Sequence, residues 1–368
     1  MQEQNTEFRG GQRDQLPTSS DVNSRLPLLT IAIPTWNREG FLKQNLEQLQ
    51  SELATVDRDL VEIIVSDNCS PDGTQQVAQK FAQHGVVNRY VRNTANLGWA
   101  LNFAQCFDFA RGRYLLLLGD DDLLFDGALS ALLELLRNGE FGVVCLRAYG
   151  FDSDFRLEHP GQGGSAEEFL DANKFLLSVN RRFTLTSVCV INKSLIPNVD
   201  SKQFADTNLA TFHLVLRASL AAKRNLKLGA YMLACKRQNS FSYDWAQVFV
   251  DEFWRIVDAH VVHGLTADCI RRIEQERLLS YYPFYALDLR LWRRSDPSKA
   301  ERTFSKRFQG RLLYKIWVAP ILTLPRVPAI LWGGMATLVG RVLGGDIARG
   351  YAFARHRVLR TLGLIRRP

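Results

Sequence analysis

The sequence predicts an α/β fold in which a mainly parallel central sheet is flanked by helices and followed by a helical C-terminal extension. Three observations point there. Apolar, β-rich runs recur at 28–33, 61–65 and 114–118, the segments between them carry apolar residues at helical spacing, and a polar, turn-forming cluster follows each run directly. Strands alternating with helices imply right-handed crossovers. In sheets built this way, ligands bind beyond the carboxyl ends of the strands.

Leu28-Leu29-Thr30-Ile31-Ala32-Ile33 reads as the first strand and is expected to stop at Pro34, which has no N–H for a central ladder. Phe41, Leu42, Leu46, Leu49 and Leu53 then fall on one helical face. The second strand, 61–65, ends in a loop over 66–74 and is followed by a helix over 75–84. A short strand at 89–91 leads through Asn93-Thr94-Ala95-Asn96-Leu97-Gly98 into a helix ending near 110. Tyr114-Leu115-Leu116-Leu117-Leu118 is continuously apolar, as in strands buried on both faces, and stops at Gly119 and three aspartates. Further on, the patterns predict a helix at 127–137, a strand at 141–146, a loop over 149–165 and a strand near 185–191. A helix near 208–222, a strand near 226–233 and a long helix near 245–263 complete the described pattern.

With 368 residues, 46% hydrophobic and 23% charged, the chain is neither disordered nor fibrous. Its net charge of +8 is unevenly distributed: 290–368 holds 17 Lys+Arg against 3 Asp+Glu, which leaves the first 289 residues at −6. An acidic body therefore precedes a basic tail. The six cysteines are scattered without a two-residue pair spacing, and are read as reduced thiols of a cytoplasmic protein. Residues 1–27 are polar and lack the apolar core of a secretory signal, so they are read as a disordered leader.

The chemistry concentrates in the clusters after the strands. An acidic triplet such as Asp120-Asp121-Asp122 often does no more than cap a helix or line a solvated loop. Directly after a buried strand, however, three carboxylates repel one another unless a cation neutralises them. Oxygen-only ligands suit Mg²⁺ or Mn²⁺, and such an ion stabilises the charge on a departing diphosphate. Asp67 can close an Asx turn, or accept hydrogen bonds from a base or ribose hydroxyl.

Four motifs in order now carry a resemblance. Pro34-Thr35-Trp36-Asn37-Arg38, Val65-Ser66-Asp67-Asn68-Cys69-Ser70-Pro71-Asp72-Gly73-Thr74, Asn96-Leu97-Gly98, and Ala110-Arg111-Gly112-Arg113-Tyr114 running to Gly119-Asp120-Asp121-Asp122 resemble family 2 glycosyltransferases of GT-A fold, a Rossmann-like architecture. The resemblance covers about 28–150 and implies a nucleotide-sugar donor site lined by Pro34, Thr35, Asn37, Asn96 and Gly98. It implies that Asp67 contacts the base, Asp120 the ribose, Asp121 the metal, and Asp122 the metal or the sugar. The family often carries Asp where this chain has Gly119, so its acidic motif is displaced here. Inversion at the anomeric carbon requires a base for the acceptor hydroxyl. Asp206 is the first candidate and His213 the second, although Asp206 can equally cap a helix and His213 be structural.

A looser similarity, from 184–191, 206–228 and Arg237 to Ser240, points to the abequosyltransferase-like branch that builds bacterial surface polysaccharide, with Arg237, Asn239 and Ser240 near the acceptor. The chain then divides into the leader 1–27, a catalytic body 28–245 (nucleotide-sugar-binding half 28–150, acceptor half 151–245) and a helical, basic region 246–368. Prolines and charges interrupt the apolar stretch 312–340, so no spanning helix is expected. Aromatic and aliphatic residues flanked by arginines suit a helix lying on a membrane. The expected partners are a nucleotide-sugar, a glycan or lipid-linked glycan acceptor and the inner face of the cytoplasmic membrane, with no nucleic acid. A nucleotidyltransferase making nucleotide sugars is the alternative enzyme, although it calls for a Gly-rich phosphate loop after the first strand. A catalytically silent membrane-bound scaffold is the non-enzymatic one.

Overall fold

The structure is a computed structural model that describes residues 26–180, 182–237, 243–292 and 296–343. The first half alternates β1 (Leu29–Thr35), α1 (Glu39–Leu53), β2 (Val61–Asp67), α2 (Thr74–Gln83), β3 (Arg89–Arg92), α3 (Trp99–Phe109) and β4 (Tyr114–Leu117). The second contains β5 (Leu123–Leu124), α4 (Ala128–Asn138), β6 (Val143–Phe151), β7 (Glu167–Phe169), α5 (Ala172–Val179), β8 (Cys189–Asn192), α6 (Ala210–Ala221) and β9 (Asn225–Lys236). Helices α7 (Phe253–Ala259), α8 (Ala267–Glu276), α9 (Tyr282–Trp292), α10 (Pro297–Phe308), α11 (Leu312–Trp317), α12 (Ala319–Thr323) and α13 (Arg326–Leu343) follow.

One sheet runs in the order β3-β2-β1-β4-β8-β6-β9-β5, with β7 added to β9. The first four strands are parallel, as the crossover pattern requires. Strand β8 enters antiparallel to both β4 and β6, so the sheet as a whole is mixed rather than mainly parallel. Strands β1 to β3 build in one direction, and α3 then carries the chain back to place β4 on the other side of β1. The topological switch point is therefore the β1–β4 junction, where such sheets open a crevice.

Strand β1 continues through Pro34 to Thr35, beyond the expected stop. The Ala32 carbonyl accepts from Leu118 N on the β4 side, and the Thr35 carbonyl from Asn68 N on the β2 side. By alternation Pro34 faces β4, whose pairing with β1 has already ended at Ala32, so its missing N–H costs no ladder bond. Strand β6 also extends to Phe151, into the expected loop, and the expected long helix at 245–263 is interrupted by a π turn at Gln247–Glu252 before α7.

Two buried carboxylates fix the connections. Glu62 accepts from Thr30 Oγ1 at 2.7 Å, Arg111 N at 2.9 Å and Arg111 Nε at 2.6 Å, holding the α3–β4 turn. Glu52 accepts from Gly127 N and Leu129 N at 2.8 and 2.9 Å, capping α4, whose own N-cap glycine has no side chain to do so. One apolar core runs without a break from Leu29 in β1 to Ala336 in α13, so the C-terminal helices pack on the sheet. Among the described residues, no helix is long and apolar enough to cross a membrane.

Candidate active site

The triplet that ends β4 lies in the switch-point crevice. Thr35 Oγ1 donates to Asp120 Oδ2 at 2.8 Å, and Thr35 pairs in register with Asp67. Asp67 and Asp120 are thus joined through one residue of β1. The turn after β1 places Asn37 in the left-handed region, φ 56°, with its N–H held by Ser70 Oγ at 2.9 Å. Arg38 follows, and its guanidinium reaches Asp120 Oδ1 at 3.3 Å and Asp121 Oδ2 at 2.8 Å. Part of the expected neutralising positive charge is thus supplied by a side chain of the chain itself.

Asp122 points the other way, accepting from Ser187 Oγ and, at 3.3 Å, from Lys236 N. Ser187 also accepts from Gly119 N, tying the triplet to the start of β8. Burial pushes the Asp120 carboxyl up to about 7 against the opposing pull of Arg38. Burial, followed by the neighbouring Asp121, raises Asp122 to about 7 as well. A Cβ on Gly119 would lie 3.0 Å from Asp121 Oδ1 and 3.2 Å from Asp122 Oδ2. Glycine at this place leaves room for both carboxylate oxygens beside it.

These oxygens fit a hard divalent ion that takes its remaining ligands from phosphate and water. Among the described residues, no group of three or more His, Cys, Asp or Glu side chains converges as a metal cage.

Asp67 is fully buried, and its oxygens are engaged: Oδ1 by Ser70 N at 2.8 Å, Oδ2 by Tyr90 OH at 2.8 Å and Arg92 Nη1 at 2.7 Å. The residue closes the turn and also fixes the Tyr90 and Arg92 side chains. Asn68 binds the Asn96 side chain and the Gly98 carbonyl, so the Asn96–Gly98 loop is held against the end of β2. An open depression of about 360 Å³ at the turn after β1 is lined by Asn37, Arg38, Glu39, Phe41, Gln44 and Asp72.

Across the rim, Trp99 Nε1 donates to Asn208 Oδ1 at 2.9 Å, and Asn208 donates from N and Nδ2 to the buried Glu252. Asp206, two residues before Asn208, is exposed and pairs with Arg255 at 2.7 Å. His213 is 8% exposed and stacked on Phe204 at 4.2 Å, because α6 buries almost every side chain it has. This placement does not give His213 the open approach that a base for a substrate hydroxyl needs, which corrects its assignment as a candidate. Arg237 is committed to Asp152 and Glu158, and Asn239 and Ser240 lie outside the described residues.

Burial, and secondarily His260, lowers the His213 pKa to about 3. Its folded value lies below the unfolded one near 6.5, so the stability gained by keeping it neutral is present above about pH 6.5 and is lost as pH falls. At pH 5 the loss is about 2 kcal/mol relative to neutral pH. His213→Phe should remove that much of the acid sensitivity in urea unfolding at pH 7.5 and 5, and an unchanged difference would contradict the assignment.

Arg38, Ser187, Tyr90, Arg92 and Trp99 join the site without having been singled out from sequence. Arg38 stands in a motif already marked and Ser187 in the loosely similar 184–191 segment, whereas Arg92 falls between the expected strand at 89–91 and the loop that starts at Asn93.

Fold and site together define a mixed α/β domain that gathers carboxylates and a cation at its switch point, as domains handling nucleoside diphosphates do. Residues 30–197, a little under half of the chain, match the model of the family described as "Glycosyl transferase family 2", and the sheet with its flanking helices has the GT-A fold. A Campylobacter jejuni "GalNAc(5)-diNAcBac-PP-undecaprenol beta-1,3-glucosyltransferase" is 29% identical over 174 residues, 47% of this chain and 54% of that protein. The abequosyltransferase RfbV of Salmonella typhimurium is 34% identical over 107 residues, 28% of this chain and 31% of that protein. The chain thus spans about half or less of the length of these curated relatives. The S. aureus TarS 1–349 structure in complex with UDP-GlcNAc superposes with a TM-score of 0.57 at 15% identity, covering 86% of this chain and 92% of that one.

Proposed function

We propose that the protein is an inverting, divalent-metal-dependent glycosyltransferase that moves a sugar from a nucleoside-diphosphate donor to a hydroxyl of a glycan or lipid-linked glycan in bacterial surface-polysaccharide assembly. The observation that carries this reading is the convergence of Thr35, Arg38, Asp120, Asp121 and Asp122 at the β1–β4 switch point. Asp121 and Asp122 would hold Mg²⁺ or Mn²⁺, which when bound offsets the charge on the departing diphosphate. Arg38 adds a second positive charge beside the same phosphates, and Thr35 orients Asp120 toward the ribose. Pro34, Asn37, Asn96 and Gly98 shape the nucleotide pocket, while Asp67 holds Tyr90 and Arg92 in place for the base. Asp206 takes the acceptor proton: Arg255 engages its Oδ2, leaving Oδ1 for the hydroxyl.

The direct test is thermal unfolding with a panel of nucleoside diphosphates, with and without Mn²⁺. One of them should raise the melting temperature in a metal-dependent way, and no shift with any member of the panel would sink the reading.

The membrane placement has its own support. Val327, Leu331, Leu338, Val342 and Leu343 of α13 are all more than half exposed, with Arg326 and Arg341 at the two ends of the helix. Such a stripe suits the interface of an anionic bilayer. Leu331→Glu combined with Leu338→Glu should abolish co-sedimentation with anionic vesicles, and retained binding would exclude α13 as the contact.

A further inference from the structure

A second cavity, of about 350 Å³, opens where the 161–166 loop crosses β9. It is lined by Arg147, Arg182 and Lys227 together with Glu167 and the backbone of Gly164 and Gly229. The crossing depends on glycine. A Cβ on Gly163 would lie 2.2 Å from the Gly229 carbonyl, and one on Gly229 would lie 2.2 Å from the Ser165 carbonyl. Gly164 N donates to Gly229 O at 2.9 Å, closing the wall.

Three cations face one carboxylate in this cavity. Arg147 is held rigidly by Gly229 O and Tyr231 OH, both at 2.8 Å, with its guanidinium 4.1 Å from the Tyr231 ring centre. Lys227 pairs with Glu167 at 2.7 Å. Arg182 also lines the cavity, with its Nη1 buried beneath the wall on the Cys145 side. A guanidinium held in place beside two further cations in one cavity suits a phosphoryl group. Arg182 stands five residues before Ser187, whose hydroxyl binds Asp122. That length of chain spans at most about 18 Å, so the cavity lies within a short oligosaccharide's reach of the reacting carboxylates.

We propose that this cavity binds the phosphate or diphosphate group of the acceptor, through Arg182, Arg147 and Lys227. The inference rests on the glycosyl-transfer reading for the identity of the ligand, but not for the existence of the anion site.

Titration calorimetry of the full chain in EDTA, with inorganic pyrophosphate as probe, separates the two. Wild-type protein should bind pyrophosphate, Arg182→Gln and Lys227→Gln should each weaken binding at least about tenfold, and Asp121→Asn should bind as wild type. Absence of binding, unchanged affinity in both cavity variants, or loss in Asp121→Asn would overturn the proposal. Lys227, partly exposed and outside the core, guards against a folding artefact at Arg182. To distinguish an acceptor's diphosphate from a free anion, Lys227→Gln should raise KM for a sugar-diphosphate-lipid acceptor at least about fivefold, with kcat unchanged. KM for the same sugar as an uncharged glycoside should not move, and an equal rise on both acceptors would refute the assignment. Failure of all turnover would count against the transferase reading, and the pyrophosphate result would still decide the cavity.

Discussion

Asp121→Ala loses at least about a thousandfold in sugar transfer, roughly 4 kcal/mol of transition-state stabilisation. The expectation follows from its two neighbours. Asp121 Oδ2 holds Arg38 at 2.8 Å, while its Oδ1 lies beside Gly119, as does Asp122 Oδ2. Removing it takes away one of the two carboxylates proposed to hold the metal and one of the two that aim Arg38. Folding should change by no more than about 1 kcal/mol, because Arg38 keeps its contact with Asp120. Product formation under single-turnover conditions, alongside a melting curve, checks both halves. Wild-type turnover in this variant would remove Asp121 from the chemistry.

The second large effect is on stability. Asp67→Ala deletes a fully buried carboxylate that accepts from Ser70 N, Tyr90 OH and Arg92 Nη1. Breaking a buried ion pair from one side strands the remaining partners, and a loss of about 3 kcal/mol is expected. Arg92 is partly open to water and can recover some solvation, which holds the figure at the low end of the range for buried pairs. Asp67→Asn keeps an acceptor for Tyr90 and Arg92 but gives up the charge, so it should fall between. Urea unfolding midpoints measure the series. A difference under about 1 kcal/mol between wild type and Asp67→Ala would show that the network carries little.

What the sequence made legible was the part of the molecule written in local pattern. Strands β1 and β2 are short β-rich, mostly apolar runs and β4 a continuous one, and the polar clusters after them had to meet at one rim once the crossovers were right-handed. The mixed direction of the sheet was not legible, because β8 looks the same from sequence whether it enters parallel or antiparallel. The direction is set by the path of a connection that contains α5 and the turn at 186–188. Pro34 misled for a related reason: a proline breaks a ladder only on the side it faces, and that side is fixed by where β4 ends. The Arg38 contacts with Asp120 and Asp121 join residues more than eighty positions apart, so the acidic triplet declared a need for positive charge without saying that part of it was already met. His213 sat at a plausible spacing on a helix that proved apolar nearly all round, which spacing alone does not reveal.

The bridge from Trp99 through Asn208 to Glu252 sets a limit on how the protein can be dissected. Glu252 closes the π turn that opens the C-terminal half, well past residue 197, where the family match stops. A fragment trimmed to that match would lack both Asn208 and its acceptor, leaving the indole of Trp99 without its anchor. Trp99 at the rim is thus tied to the later helices, and the matched portion of this chain is not a detachable cassette.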